Sequence, residues 1–138
     1  MTDQHTVTST LVQEASRVKL TSTLFGVNFP LRLEPCIFSI ARQLSPEYHG
    51  GYWTFHLLSN GGFYMAPNHS TPFPVAAENG FCSHLSPEAF GIVVCLYAYS
   101  GQSFGNDTFA EVCAEHYHLL RAFALDHPEA GNIMAATD

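Results

Sequence analysis

"GGYWTFHLLSNGGFYMAP", Gly50 to Pro67, gathers the single tryptophan, four other aromatics, four glycines and an Asn-Gly pair into eighteen residues. Trp53, Phe55 and Leu57 alternate with Tyr52, Thr54, His56 and Leu58, which is the two-residue period of a strand with one face on a core. Asn60-Gly61 supplies the positive backbone angles of a tight turn, and Phe63 to Met65 start the return strand. The stretch predicts a β-hairpin over Tyr52–Met65. Trp53, Phe55 and Leu57 should face inward, leaving Tyr52, Thr54, His56 and Tyr64 as an outward row.

Upstream of the hairpin, residues 1–16 are polar, rich in Thr and Ser and aperiodic, and are expected to form a flexible arm ahead of one domain over 17–138. The text turns apolar at Arg17, and Cys36, Ile37, Ile40, Ala41 and Leu44 then recur at helical spacing just after Pro35. A short helix over Pro35–Leu44 follows.

Downstream, "APNHSTPFPVAAENG" carries three prolines and reads as a loop, while "GFCSHL" offers a third strand. "LSPEAFGIVVCLYAYSG" contains a helix start, with Ser86 at the cap, Pro87 at the first helical position, Glu88 in the first turn and Gly101 past the end. Its apolar content on nearly every side calls for burial all round. Thr108 and Glu111 stand three apart as a capping box for a last long helix. Phe109, Val112, Cys113, His116, Leu119, Leu120 and Phe123 form its inward stripe, and His127-Pro128 stops it. "PEAGNIMAATD" adds a final turn or two. Segregated elements of this kind predict an α+β fold, a small antiparallel sheet packed against about four helices.

A chain of 138 residues, 46% hydrophobic and 12% charged, is expected to fold as one domain. Five Lys plus Arg against twelve Asp plus Glu give a formal charge of −7, so no cationic field exists to bind nucleic acid directly. Twelve scattered acids are also too sparse to imitate the charge array of DNA, one per ~1.7 Å of duplex. The longest apolar run, "AFGIVVCLYAY", is too short to span a membrane, and the N-terminus lacks a basic leader and an apolar core. A cytoplasmic location is expected, with Cys36, Cys82, Cys95 and Cys113 reduced and buried.

Candidate chemistry is thin. Cys82 and His84 on one strand face, with Cys113 and His116 one helical turn apart, would suit zinc if the fold joined them. Against this, Cys113 and His116 lie in the inward stripe, so no metal or cofactor is expected. Cys95 sits among Val and Leu and is expected to be an inert core thiol. No nucleophile elbow, phosphate loop or zinc-protease motif occurs, and no catalytic residue is assigned. Surface acids remain: Glu111 and Glu115 one turn apart, with Asp126, Glu129 and Asp138 toward the end. They form either a solvated face or an acidic patch for a basic partner.

"YHGGYWTFHLLSNGGFYMAP" (Tyr48 to Pro67), "LSPEAFGIVVCLYAYS" (Leu85 to Ser100) and "HYHLLRAFALDHPEAGNIMAATD" (His116 to Asp138) together resemble the ArdB/KlcA antirestriction proteins of plasmids and other mobile elements. The likeness covers about Arg17 to Asp138. It implies a small non-catalytic protein that relieves type I restriction of incoming DNA and does not mimic DNA. Its partner would be the restriction complex or a host factor acting on it, and the protein itself a monomer or weak dimer. The chain departs from the family pattern at Ala122 and Phe123, where an acid and a tyrosine are frequent, and Cys82-x-His84 is not a family feature. Contact residues are sought in the outward row, Tyr52, His56 and Tyr64, and among Glu111, Glu115, Asp126 and Asp138. The alternatives are a metal-dependent enzyme built on Cys82, His84, Cys113 and His116, or a plasmid-maintenance protein acting indirectly.

Overall fold

The hairpin forms as expected: β2 (Trp53–Leu58) pairs antiparallel with β3 (Phe63–Pro67), with Trp53 opposite Pro67 and Leu57 opposite Phe63. A computed structural model describes residues 6–138, so the first five residues of the expected arm lie outside it. At the turn only Gly61 takes a positive φ, +91°. Asn60 acts through its side chain instead. Its Oδ1 accepts from Gly62 N at 2.9 Å and its Nδ2 donates to the Leu119 carbonyl at 2.9 Å, which clamps the turn to a helix.

The third strand of this sheet is not Cys82–Leu85. It is β1 (Ser9–Leu11), drawn from the segment expected to be a flexible arm, and it pairs antiparallel with β2 in the order β1-β2-β3. The stretch read as a loop contains β4 (Phe73–Ala76), which pairs with β5 (Cys82–Leu85) in a separate two-stranded sheet. Pro74 is accommodated because a strand of a two-stranded ribbon has a free edge on which a missing donor costs little.

Among the described residues five α-helices complete the α+β architecture: α1 (Arg17–Phe25), α2 (Glu34–Leu44), α3 (Pro87–Gln102), α4 (Thr108–Leu125) and α5 (Ala130–Thr137). A π-helical turn over Phe29–Leu33 joins α1 to α2. The sequence reading placed α2, α3, α4 and the last helix but not α1, whose exposed Val18 and buried Thr21 blur its apolar period. Two end signals also shift by a residue or more. Asp107, not Thr108, caps α4 by accepting from Ala110 N at 3.0 Å, and α3 runs through Gly101 to Gln102.

Helix α3 is the centre of the molecule. Ten of its sixteen residues, from Ala89 to Tyr99, are buried because β3, α2, α4 and α5 all pack on it. Gly91 permits the closest approach: a Cβ there would lie 2.5 Å from Ala66 Cα and from the Met65 carbonyl oxygen. Cys95 docks into the same strand, with Sγ 3.5 Å from both Met65 N and Met65 O, and burial pushes its thiol up to about 12. The second buried thiol, Cys113, is pushed up to about 12 by the same cause, whereas Cys36 is half-buried and Cys82 exposed. The expectation of four buried thiols therefore fails at Cys82, which sits on the open face of a two-stranded ribbon.

Two side chains of the hairpin depart from strict alternation. Leu58 rather than Leu57 is buried, since the chain leaves its pleat on entering the turn. Tyr64, expected to point outward, is fully buried together with all of β3. Its outer face is covered by Phe123 of α4, whose ring stacks on it at 5.6 Å and 23°.

Candidate functional site

Two of the three stretches of the sequence resemblance, distant along the chain, meet in one polar corner. Ser86 starts α3, accepting from Ala89 N at 3.1 Å and donating its hydroxyl to the Glu129 carboxylate, which also accepts from Ser86 N at 3.1 Å. Two residues on, the Glu88 carboxylate accepts from His127 Nε2 at 2.6 Å. His127 Nδ1 accepts from Glu129 N at 3.0 Å, which places the ring proton on Nε2. Both carboxylates lie at the amino end of α3, where the helix dipole favours negative charge.

The Glu88 charge is also felt in the hairpin. Burial lowers the pKa of His56, and Glu88 partly opposes that shift. Burial likewise holds the Tyr64 hydroxyl far above its usual range, with Glu88 adding to the rise. The two rings are cross-strand partners stacked at 4.6 Å and 10°, and His56 Nε2 lies 2.8 Å from Thr54 Oγ1. Ser86, Glu88, His127 and Glu129 are thus satisfied by one another. Such an arrangement fixes the corner between α4 and α5 against α3 and leaves no free base or nucleophile.

Ser86→Ala removes the cap of α3 and the donor to Glu129 together. A loss of about 1–2 kcal/mol is expected, read as a lower urea midpoint at unchanged m. An unchanged midpoint would mean that the corner contributes nothing to folding.

The residues predicted from sequence do not converge. Tyr52 is 48% exposed and donates to Glu14 Oε1 at 2.8 Å while accepting from Arg17 Nη2 at 2.7 Å. His56 is half-buried, and Tyr64 has no free surface. Glu111, Glu115, Asp126 and Asp138 are all exposed. They do not make one patch, however: Glu111 and Asp126 stand fifteen residues apart on α4, about 22 Å at 1.5 Å per residue, and Asp138 closes α5. Cys82 and His84 lie on the exposed ribbon while Cys113 and His116 lie in the core, and among the described residues no three His, Cys, Asp or Glu stand close enough to hold a metal ion. Sequence reasoning missed the corner because it read Ser86-Pro87-Glu88 as a helix start, His127-Pro128 as a helix stop and Glu129 as a surface acid. Those two runs were the available signal.

His116 is buried between Phe25 at 4.7 Å and Tyr99 at 5.5 Å, and its Nδ1 has no hydrogen-bond partner. Burial lowers its pKa below 6.5, with Glu115 a weaker opposing influence. The folded form therefore binds the proton more weakly than the unfolded chain does. Its contribution is intact above pH 6.5 and is lost as pH falls toward the folded value. His116→Phe should be at least as stable at pH 7.5 and should flatten the loss of stability between about pH 6.5 and 5. Parallel melts of the two proteins at those pH values check this, and equal acid sensitivity would contradict it.

The chain matches the antirestriction protein family over residues 46–138 and belongs to that family. It is 38% identical to the antirestriction protein KlcA of Escherichia coli over 141 residues, covering 99% of each chain. It is also 40% identical over 111 residues to the uncharacterized protein YfjX of Escherichia coli K12, covering 78% of this chain and 72% of that one. Among solved structures it superposes with a TM-score of 0.91 at 38% identity, over 100% of this chain and 99% of the other. That structure belongs to work on the KlcA and ArdB proteins, described as showing a novel fold and antirestriction activity against Type I DNA restriction systems in vivo but not in vitro.

Proposed function

We propose that this protein relieves type I restriction of incoming unmodified DNA inside the cell, by non-catalytic contact with a host factor that acts on the restriction complex. The observation that carries the reading is similarity over essentially the full chain to proteins with that activity in vivo but not in vitro. An activity lost on purification calls for a component that the purified reaction lacks.

Physical chemistry supports the same division of labour. A formal charge of −7 disfavours competition for DNA phosphates, so the contact is with protein. Among the described residues no helix is long and apolar enough to cross a membrane, consistent with a cytoplasmic site of action. Exposed Tyr52, Glu111, Glu115, Asp126 and Asp138 and half-exposed His56 are the available contacts, and a monomer or weak dimer presents them.

The protein is added to a purified type I enzyme cutting unmodified DNA, with and without a cytosolic extract of the host. Inhibition is expected only with extract. Inhibition by the protein alone would replace the host factor with direct contact.

A further inference from the structure

A groove of about 600 Å³ opens between α1, the π-helical turn and β2. Its floor is Phe29 and Phe55, its near wall Val18 and Thr21 of α1, and its far wall the carboxyl-bearing Glu34. Arg17 is fixed along one side. Its Nη2 donates to Tyr52 Oη at 2.7 Å and to the Trp53 carbonyl at 2.8 Å, and its guanidinium lies 4.2 Å over the Phe55 ring. Nε is buried with no acceptor, and among the described residues no carboxylate lies within 4 Å of this cation. The groove therefore offers an oriented guanidinium, pre-organised by the sheet, without a direct carboxylate partner: Glu34 shares the groove lining and Glu14 is linked to Arg17 only through the Tyr52 hydroxyl.

Two further observations identify the occupant. Val18, Val27 and Leu31, on α1 and the following turn, are 81%, 66% and 68% exposed, so apolar surface continues past the groove. A small molecule filling the groove would leave that surface wet, whereas a polypeptide would cover it. Arg17 is also the one cation among the described residues that line the groove, Arg32 being paired with Asp107 at 2.8 Å. The complement of the groove is an apolar segment with a single carboxylate placed for Arg17.

We propose that the groove is a docking site for a short apolar segment of a partner protein carrying a carboxylate that pairs with Arg17. The apolar side chains enter over Phe29 and Phe55, and the carboxylate meets the guanidinium. Glu34, held above the usual carboxylate range by burial, sits on the opposite wall and is desolvated further by the occupant. The inference does not depend on the restriction reading, since it rests on the geometry of the groove itself.

The test is an amide-shift titration of isotope-labelled protein with the blocked pentapeptide Leu-Phe-Asp-Leu-Leu and with its Asn counterpart. Saturable shifts are expected at Val18, Thr21, Gly26, Val27 and Phe55, with the Asn peptide about tenfold weaker, as loss of one charge-assisted pair implies. Val27→Glu places a like charge on the exposed rim and should abolish binding with the melting temperature unchanged. This variant stands beside Arg17→Lys because Arg17 also ties α1 to β2. Failure to saturate at millimolar peptide, shifts centred elsewhere, or equal affinity for the Asn peptide would overturn the proposal.

Discussion

Gly91→Ala is expected to destabilise the protein by about 2–3 kcal/mol, although alanine in a helix interior normally gains about 1 kcal/mol over glycine. The reason is contact between backbones. The new Cβ would stand 2.5 Å from Ala66 Cα, Ala66 Cβ and the Met65 carbonyl oxygen, and a strand backbone cannot swing aside as a side-chain tip can. Helix α3 and strand β3 must separate, which also pulls Cys95 Sγ away from the Met65 backbone. The melting temperature should fall by roughly 5–10 °C for Ala, and Gly91→Val should fall further. An increase for Gly91→Ala would mean that the propensity gain outweighs the contact.

Phe63→Ala is expected to cost about 3–5 kcal/mol, the range for deleting a buried aromatic ring whose site cannot collapse. Phe63 is fully buried and meets Phe25 at 5.7 Å, Phe55 at 5.5 Å and Phe29 at 5.9 Å, each edge to face. Those three rings come from α1, β2 and the π-helical turn, so the cavity lies where three elements share one neighbour. Tyr99 adds to the same point by donating its hydroxyl to the Phe63 carbonyl at 2.6 Å. Phe63→Leu, which keeps most of the volume, should cost less than about 1.5 kcal/mol. Urea denaturation of both variants checks the ordering, and similar losses would show that volume is not what matters there.

The elements legible in the sequence are those written in local chemistry. Trp53 and Phe55 with Asn60-Gly61 specify a hairpin within eleven residues, and Ser86-Pro87-Glu88 specify the start of α3 within three. β1 and β4 have three and four residues, too few to display a period, and β4 contains a proline. Alternation told which residues of β3 share a face. It could not tell that Phe123, fifty-nine positions beyond Tyr64, covers the outer face. Phe123, where the resemblance leads one to expect a tyrosine, packs its ring against Tyr64 in this chain. Ala122 beside it is exposed and contacts nothing that explains its choice.

The site was harder to read for the same reason. Ser86 and Glu129, or Glu88 and His127, meet across 43 and 39 residues, and no local rule pairs them. The family wording located their two stretches without revealing that they touch. Arg17 and the groove went unremarked because a lone arginine in apolar text has no signature, and its meaning comes from Tyr52, Trp53 and Phe55 on another element.

The most direct test is the efficiency with which unmodified phage plates on a host carrying a type I restriction system, with and without this protein expressed, against a restriction-deficient control. The account predicts that expression raises plating on the restricting host toward the control and leaves the control itself unchanged. Equal restriction in the two restricting cultures, with folded protein present, would contradict it.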